Sequence, residues 1–218
     1  MDDTELSQWF DNVGNTLEQA YLKQEEPWKQ SGMSGPAERW VSLRKPVADC
    51  VDRSGSFLDI GCANGYLLEC VMKWVGEKGL SIVPYGLDLS QRLVELAKER
   101  LPHYKDNFFV GNAFTWLPPR RFDFVRTELV YVPAEYEQQY IGFIRDNHLT
   151  PGGKLLVANY GEGMTKEEIE RGIIKGGHVT SEILSRLREL GFNAINYKDG
   201  HDPVKNRKVR IAILNRQG

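Results

Sequence analysis

From Ser56 onward, apolar runs of strand length alternate with longer stretches of helical periodicity, and this alternation leaves the chain few architectures. Phe57 to Ile60 is short, apolar and closed by Gly61, as a buried strand would be, and a helix is expected from about Gly65 to Val75. The next strand is Ser81 to Leu87. Ser90 can then cap a helix over Gln91 to Arg100, with Leu93, Val94, Leu96 and Ala97 on one face and Pro102 as its stop. Strands are expected at Asn107 to Val110 and Phe122 to Arg126, a helix at about Ala134 to Asp146, and a fifth strand at Lys154 to Asn159. Strand and helix in regular succession specify an α/β fold, a parallel sheet covered on both faces.

The rhythm changes past Tyr160. Thr165 and Glu168 read as a capping box before a short helix to about Ile174, and a glycine pair, Gly176 and Gly177, breaks it. Thr180 can cap a further helix to Leu190, ended by Gly191. Two last strands, Phe192 to Lys198 and Lys208 to Asn215, are joined by a loop so short that only antiparallel pairing is open to them. At the other end, Thr4 to Gln24 has helical spacing, and a turn-rich piece around Gly32 and Gly35 precedes a second helix, about Ala37 to Cys50. Residues 1–52 therefore read as an N-terminal helical cap and residues 53–218 as the α/β domain.

Composition narrows the function classes. A net charge of −2 over 218 residues lacks the basic surplus of a protein that binds nucleic acid through its phosphates, and 41% hydrophobic residues are too many for a disordered chain. Nucleic acid is thus an improbable partner. No stretch approaches the roughly 20 apolar residues of a membrane span. The acidic start, Met1-Asp2-Asp3, lacks the layout of a signal peptide, so a cytoplasmic protein without a membrane partner is expected. Cys50, Cys62 and Cys70 have no zinc or redox spacing and are read as reduced and mostly buried; with His103, His148, His178 and His201 scattered, no metal site is expected. The charge is uneven: residues 1–30 are acidic and residues 163–218 basic. The cluster Lys205, Arg207, Lys208 and Arg210 suits either a polyanionic acceptor or an edge hairpin protected from pairing with other strands.

The most informative segment is Phe57-Leu58-Asp59-Ile60-Gly61-Cys62-Ala63-Asn64-Gly65-Tyr66-Leu67. A glycine-bearing turn between a strand and a helix lets the backbone approach a ligand closely. A dinucleotide fingerprint from Gly61 would need glycine at position 66, which is Tyr66, and no Gly-Lys-Ser/Thr of a P-loop follows. Asp59, just before the turn, would repel a diphosphate and welcome a cation.

This segment resembles motif I of the class I S-adenosylmethionine-dependent methyltransferases, Asp/Glu-x-Gly-x-Gly-x-Gly, matched by Asp59, Gly61 and Gly65 with Ala63 in place of the middle glycine. The resemblance covers about Ser56 to Tyr160. It implies a Rossmann-like, doubly wound seven-stranded sheet, mostly parallel with an antiparallel last strand, and S-adenosylmethionine as cofactor. In such a protein the turn wraps the methionine part, with Asp59 toward its amino group. Asp88, in Gly86-Leu87-Asp88-Leu89-Ser90, would take both ribose hydroxyls, for which the two oxygens of a carboxylate are suited; a charge at the start of a helix is its other reading. Asn112 and Ala113 stand where the family reads adenine, although Asn also forms turns. Cys62, Leu89 and Thr127 complete the residues the resemblance places at the cofactor.

The acceptor is less legible. After the fourth strand comes Arg126-Thr127-Glu128-Leu129, in place of the Asp/Asn-Pro-Pro-Tyr/Phe of many enzymes that methylate exocyclic amines. Methyl transfer from a sulfonium rests largely on alignment, with a base needed only where the acceptor keeps its proton. Glu128 is the candidate catalytic carboxylate, as a base or as the partner of a cationic amine; it is equally placed to pair with Arg126. Trp28, Tyr131, Tyr160 and His178 are candidates for the acceptor pocket, with Trp28 open to a packing role and His178 to a solvent-exposed one. Gln30-Ser31-Gly32 is polar enough to touch the cofactor's carboxylate. The expected function is methyl transfer to oxygen or nitrogen of a small molecule by a monomer or homodimer. RNA or protein acceptors, or a cofactor-binding module without turnover, are the alternatives.

Overall fold

The computed structural model of the chain describes residues 3–32, 35–165 and 180–216. Seven strands form one sheet in the order β3-β2-β1-β4-β5-β7-β6. They are β1 (Gly55–Ile60), β2 (Ile82–Asp88), β3 (Phe108–Val110), β4 (Phe122–Thr127), β5 (Leu149–Asn159), β6 (Asn196–Asp202) and β7 (Arg207–Asn215). β1 pairs in parallel with both β2 and β4, β2 with β3, and β4 with β5, whereas β7 runs antiparallel to β5 and β6. This is the expected doubly wound sheet with its reversed last strand. Among the described residues, no helix is long and apolar enough to cross a membrane.

The helices are α1 (Asp3–Leu22), α2 (Ala37–Asp49), α3 (Tyr66–Gly76), α4 (Gln91–Arg100), α5 (Glu137–His148) and α6 (Ile183–Glu189). Side chains alternate across a strand, so β1 sends Phe57 to one face and Leu58 to the other, and both are fully buried. The first core packs Trp40, Leu43 and Val47 of α2 with Leu68 and Val71 of α3. The second joins Tyr140, Ile141 and Ile144 of α5 to Leu187 of α6, with Leu6 and Phe10 of α1 at its margin. The two N-terminal helices therefore belong to opposite faces of the sheet.

Several boundaries differ from the sequence expectation. β5 begins at Leu149 because Thr150-Pro151-Gly152-Gly153 is absorbed into the strand, with a register shift against β4. β6 runs over Asp199 and Gly200, expected as loop; a side chain at Gly200 would stand 2.6 Å from Pro46 Cγ and 3.0 Å from the Ser42 carbonyl, so glycine is what allows α2 to lie on β6. α6 starts at Ile183, not at Thr180, and its first free N–H groups are met from outside: Thr180 Oγ1 accepts from Glu182, and Glu162 Oε2 from Ile183. The expected capping box at Thr165 and Glu168, the helix after it and Gly176-Gly177 fall wholly or partly outside the described residues.

The crevice follows from the topology. The chain leaves β1 toward β2 on one side and later returns to β4 on the other, so the loops after β1 and β4 diverge. In open α/β sheets ligands bind at such a switch point, beyond the carboxyl ends of the strands.

Candidate functional site

The turn after β1 is built for close approach. Gly61 and Gly65 have φ of 73° and 75°, and Ala63 takes φ 46°, a left-handed conformation that costs an alanine roughly 1 kcal/mol. A Cβ on Gly61 would lie 2.6 Å from the Tyr131 ring. The turn is tied down by Gly61 N–H and Cys62 N–H, both donating to the Leu87 carbonyl. The Cys62 thiol points beneath it, 2.7 Å from where a Cβ of Gly86 would be.

Asp88 closes the end of β2. Its Oδ2 accepts from Ala63 N–H at 2.8 Å and its Oδ1 from Ser90 N–H at 2.9 Å, so each oxygen keeps further acceptor capacity. Burial raises its pKa above the ordinary carboxylate range, opposed by those backbone donors. Ser90 caps α4 as expected, accepting from Leu93 N–H at 3.1 Å. Asn112 and Ala113, after β3, complete this wall, with Asn112 Oδ1 also accepting from Phe114 N–H at 2.9 Å.

α1 roofs the space. Trp9, Phe10, Val13 and Leu17 line a mainly apolar cavity whose floor is Gly61, Ala63, Asp88, Leu89, Asn112 and Ala113. Glu18 fastens the helix, accepting from Ser90 Oγ at 2.5 Å and lying 3.6 Å from Arg92. Tyr21 and Tyr131 stand at the other end of the same cavity.

Beyond Tyr131 the character changes from apolar to ionic. Arg126, 2% exposed, donates from Nη1 to Asp59 Oδ1 at 3.2 Å, to the Ile60 carbonyl at 3.3 Å and to Tyr131 Oη at 2.9 Å. Its Nη2 reaches Glu128 Oε1 and, at 3.4 Å, Tyr160 Oη, while Tyr131 Oη–H donates to the same Glu128 oxygen at 3.0 Å. Burial pushes the Asp59 carboxyl up to about 7 against the pull of Arg126. Burial likewise raises Tyr21 to about 12, with the Glu128 and Asp88 charges adding to it. Three buried atoms here lack any hydrogen-bond partner among the described residues: Asp59 Oδ2, Arg126 Nε and Arg44 Nη1.

Gly61, Ala63, Asp88, Leu89, Asn112, Ala113 and Tyr131 thus line one cavity, while Asp59, Glu128 and Tyr160 gather around Arg126 beside it. Gly65 lies behind it, where a Cβ would stand 3.0 Å from Ala97 Cβ of α4. Thr127 turns its hydroxyl to Tyr140 Oη, 2.6 Å away in the second core. Trp28 packs against the first core and donates to the Gly35 carbonyl at 3.0 Å. Gln30 accepts from Asn64 Nδ2 at 3.0 Å, and Ser31 from Trp40 Nε1 at 2.9 Å, so this loop braces the turn. His178 lies outside the described residues. Sequence reasoning passed over Arg44. Its signal was an arginine on the helical face otherwise formed by Trp40, Leu43 and Val47.

No family model matches the chain, and no curated protein does. Its fold, however, recurs among solved structures. A SAM-dependent methyltransferase from Leishmania major superposes with a TM-score of 0.68 at 15% identity, over 95% of this chain and 83% of that one. The magnesium protoporphyrin IX methyltransferase of Synechocystis PCC 6803, solved with bound SAH, gives 0.59 at 16% identity over 98% and 100%. SpnF, a cyclase of the 4+2 type, gives 0.64 at 17% identity over 96% and 97%. The chain has the Rossmann-like fold of the class I S-adenosylmethionine-dependent methyltransferases.

Proposed function

We propose that the protein binds S-adenosylmethionine and transfers its methyl group to oxygen or nitrogen of a small-molecule acceptor in the cytoplasm. The observation that carries this reading is Asp88: a half-buried carboxylate at the carboxyl end of β2, held by two backbone donors and facing an apolar cavity beside a left-handed glycine turn. Its remaining lone pairs suit a vicinal diol, and Leu89, Asn112 and Ala113 suit a flat purine. The cofactor supplies an activated methyl group. Asp59 and the turn from Gly61 to Gly65 would hold its amino-acid end. α1 supports a small acceptor over a macromolecular one, because it covers the adenosine end and would exclude water from it.

Glu128 accepts from both Arg126 and Tyr131, and a carboxylate so engaged serves better to position an acceptor than to take its proton. Tyr131, packed over Gly61, stands where the cavity meets the ionic cluster, and so between cofactor and acceptor. The free thiols agree with a reducing compartment; burial pushes Cys50 up to about 12, which leaves it inert.

Isothermal titration with S-adenosylhomocysteine tests the reading. Micromolar binding is expected, weakened at least tenfold by Asp88→Ala, since two hydrogen bonds to a charged acceptor are lost. Absence of binding at high micromolar concentration, or an unaffected Asp88→Ala variant, would sink it.

A further inference from the structure

α1 roofs the cavity and the turn after β1 floors it, and one side chain has an end on each. Gln30 donates from Nε2 to the Gln24 carbonyl at 2.8 Å, while its Oε1 accepts from Asn64 Nδ2 at 3.0 Å. Gln24 stands two residues past the end of α1, and its N–H donates to the carbonyl of Tyr21 in the last turn of that helix. Asn64 lies between Ala63, which lines the cavity, and Gly65. A single amide therefore joins the roof to the floor.

The partners determine the direction of both bonds. Backbone carbonyls only accept, so the nitrogen of Gln30 must face Gln24, and the nitrogen of Asn64 must face Pro27, to whose carbonyl it donates at 3.0 Å. That leaves the Gln30 oxygen to the second Asn64 hydrogen. Asn64 is 0% exposed, its Oδ1 accepts from Tyr66 N–H at 3.2 Å, and Arg100 Nε of α4 donates to its carbonyl at 3.0 Å. A buried amide satisfied on every side is a rigid anchor. The other end of the bridge is loose: Lys23, Gln24 and Glu25 are exposed. A bond from a rigid ligand-facing turn to the open end of a covering helix couples the two. By linkage, whatever affinity the ligand gains from a closed roof, the roof gains in closure from the ligand.

We propose that Gln30 is a positioning residue that latches α1 over the cavity, so that a ligand which orders the turn also orders the roof. The inference rests on the methyltransferase reading for its ligand, and it concerns how this chain shuts its site rather than what the site holds.

The test is hydrogen exchange of the full chain, read by mass spectrometry on peptides from α1, β4 and β5, with and without saturating S-adenosylhomocysteine. Gln30→Glu keeps an oxygen for Asn64 and sets a second one against the Gln24 carbonyl, so it breaks the roof end alone; Gln30→Met breaks both ends. In the unmodified chain the ligand is expected to slow exchange in α1 about fivefold or more, the lower end of ordinary coupling between sites. In both variants, at saturating ligand, that slowing should drop below about twofold while β4 and β5 exchange as before. Affinity for S-adenosylhomocysteine and for 5′-methylthioadenosine, the adenosine thioether without the amino-acid end, should fall alike, by about the same fivefold. Gln30→Glu carries the test if the methionine variant does not fold. Undiminished protection of α1 in either variant would overturn the proposal. Faster exchange in β4 and β5 together with α1 would show a general loss of stability and overturn it as well, as would a ligand that binds the unmodified chain without slowing α1. Failure of the unmodified chain to bind S-adenosylhomocysteine at all would instead remove the methyltransferase reading, and the inference with it.

Discussion

The two N-terminal helices are neighbours in sequence and opposites in construction. α2 is built into the molecule: Trp40 and Val47 are fully buried, Gly200 admits Pro46 and the Ser42 carbonyl at close range, and Arg39 is clamped to Asp202. α1 is laid on. Leu6 and Phe10 reach the margin of a core, while Trp9, Val13 and Leu17 look onto a cavity and Glu18 holds Ser90. The apolar cavity accordingly lies under α1 and meets the ionic cluster of Arg126 at Tyr131. Residues 1–52 thus carry two roles, a wall and a lid, and each role can be broken separately.

The largest effect is expected in the wall. Trp40→Ala removes a side chain that packs on Tyr66 and Trp74, with centroids 4.7 and 6.1 Å away, and donates to Ser31. It should cost about 4 kcal/mol in denaturant unfolding. Phe10→Ala in the lid should cost well under half as much; equal losses would erase the distinction. Asp202→Asn comes next, at about 3 kcal/mol, because it removes the charge of the carboxylate to which the buried Arg39 guanidinium donates twice. The Arg39 guanidinium holds the Asp202 carboxyl well below the usual carboxylate range. A depressed folded pKa gives stability that is present above about pH 4 and lost as pH falls further. The gap between the native chain and the variant should therefore close in acid.

Removing residues 1–23 attacks the lid alone. If α1 hides roughly 100 Å² of the ligand's apolar surface, its loss is worth about 2.5 kcal/mol, near seventyfold in affinity. S-adenosylhomocysteine and 5′-methylthioadenosine should weaken together, since both share the adenosine end. Cooperative unfolding should survive. A truncated chain that unfolds without a transition would place α1 in the wall with α2.

What the sequence made legible follows the same division. The strands of the parallel sheet and the acids at Asp59 and Asp88 could be read because short apolar runs and a glycine turn are local signals, whereas the seven-stranded count and reversed last strand came with the family resemblance. β6 was misplaced toward Phe192 because it is an edge strand whose residues Asn196 to Asp199 are exposed, so no apolar alternation marks it. Its Asp199-Gly200 pair looks like a turn, and only contact with α2 explains the glycine. Glu128 was legible as a site carboxylate, and its pairing with Arg126 was weighed, but the sharing of one oxygen with Tyr131 is tertiary. Arg44 was missed for the same reason. A lone arginine on an apolar helix face can reach for solvent, clamp an acid as Arg39 does, or lie on a ring as Arg44 does on Tyr160, and no spacing separates these.

The smallest effect expected concerns protons, and it sharpens the contrast between the two ends. Asp59 faces Arg126 and Glu128 from β4 and its following loop and Asp88 from β2, and burial brings its carboxyl up to about 7 when no ligand is present. A ligand ammonium beside Oδ2 would favour the ionised form, so binding below pH 7 must first expel a proton. Affinity for S-adenosylhomocysteine should then fall about tenfold between pH 7.5 and 6, one pH unit below the pKa corresponding to 1.36 kcal/mol. 5′-Methylthioadenosine carries no ammonium, so its affinity should stay nearly flat over the same range. Asp59→Asn should flatten the profile for S-adenosylhomocysteine while lowering its affinity at pH 7.5. A slope shared equally by the two ligands would assign the proton to Asp88, at the end that α1 covers, and would move the pH sensitivity from the ionic end to the lid.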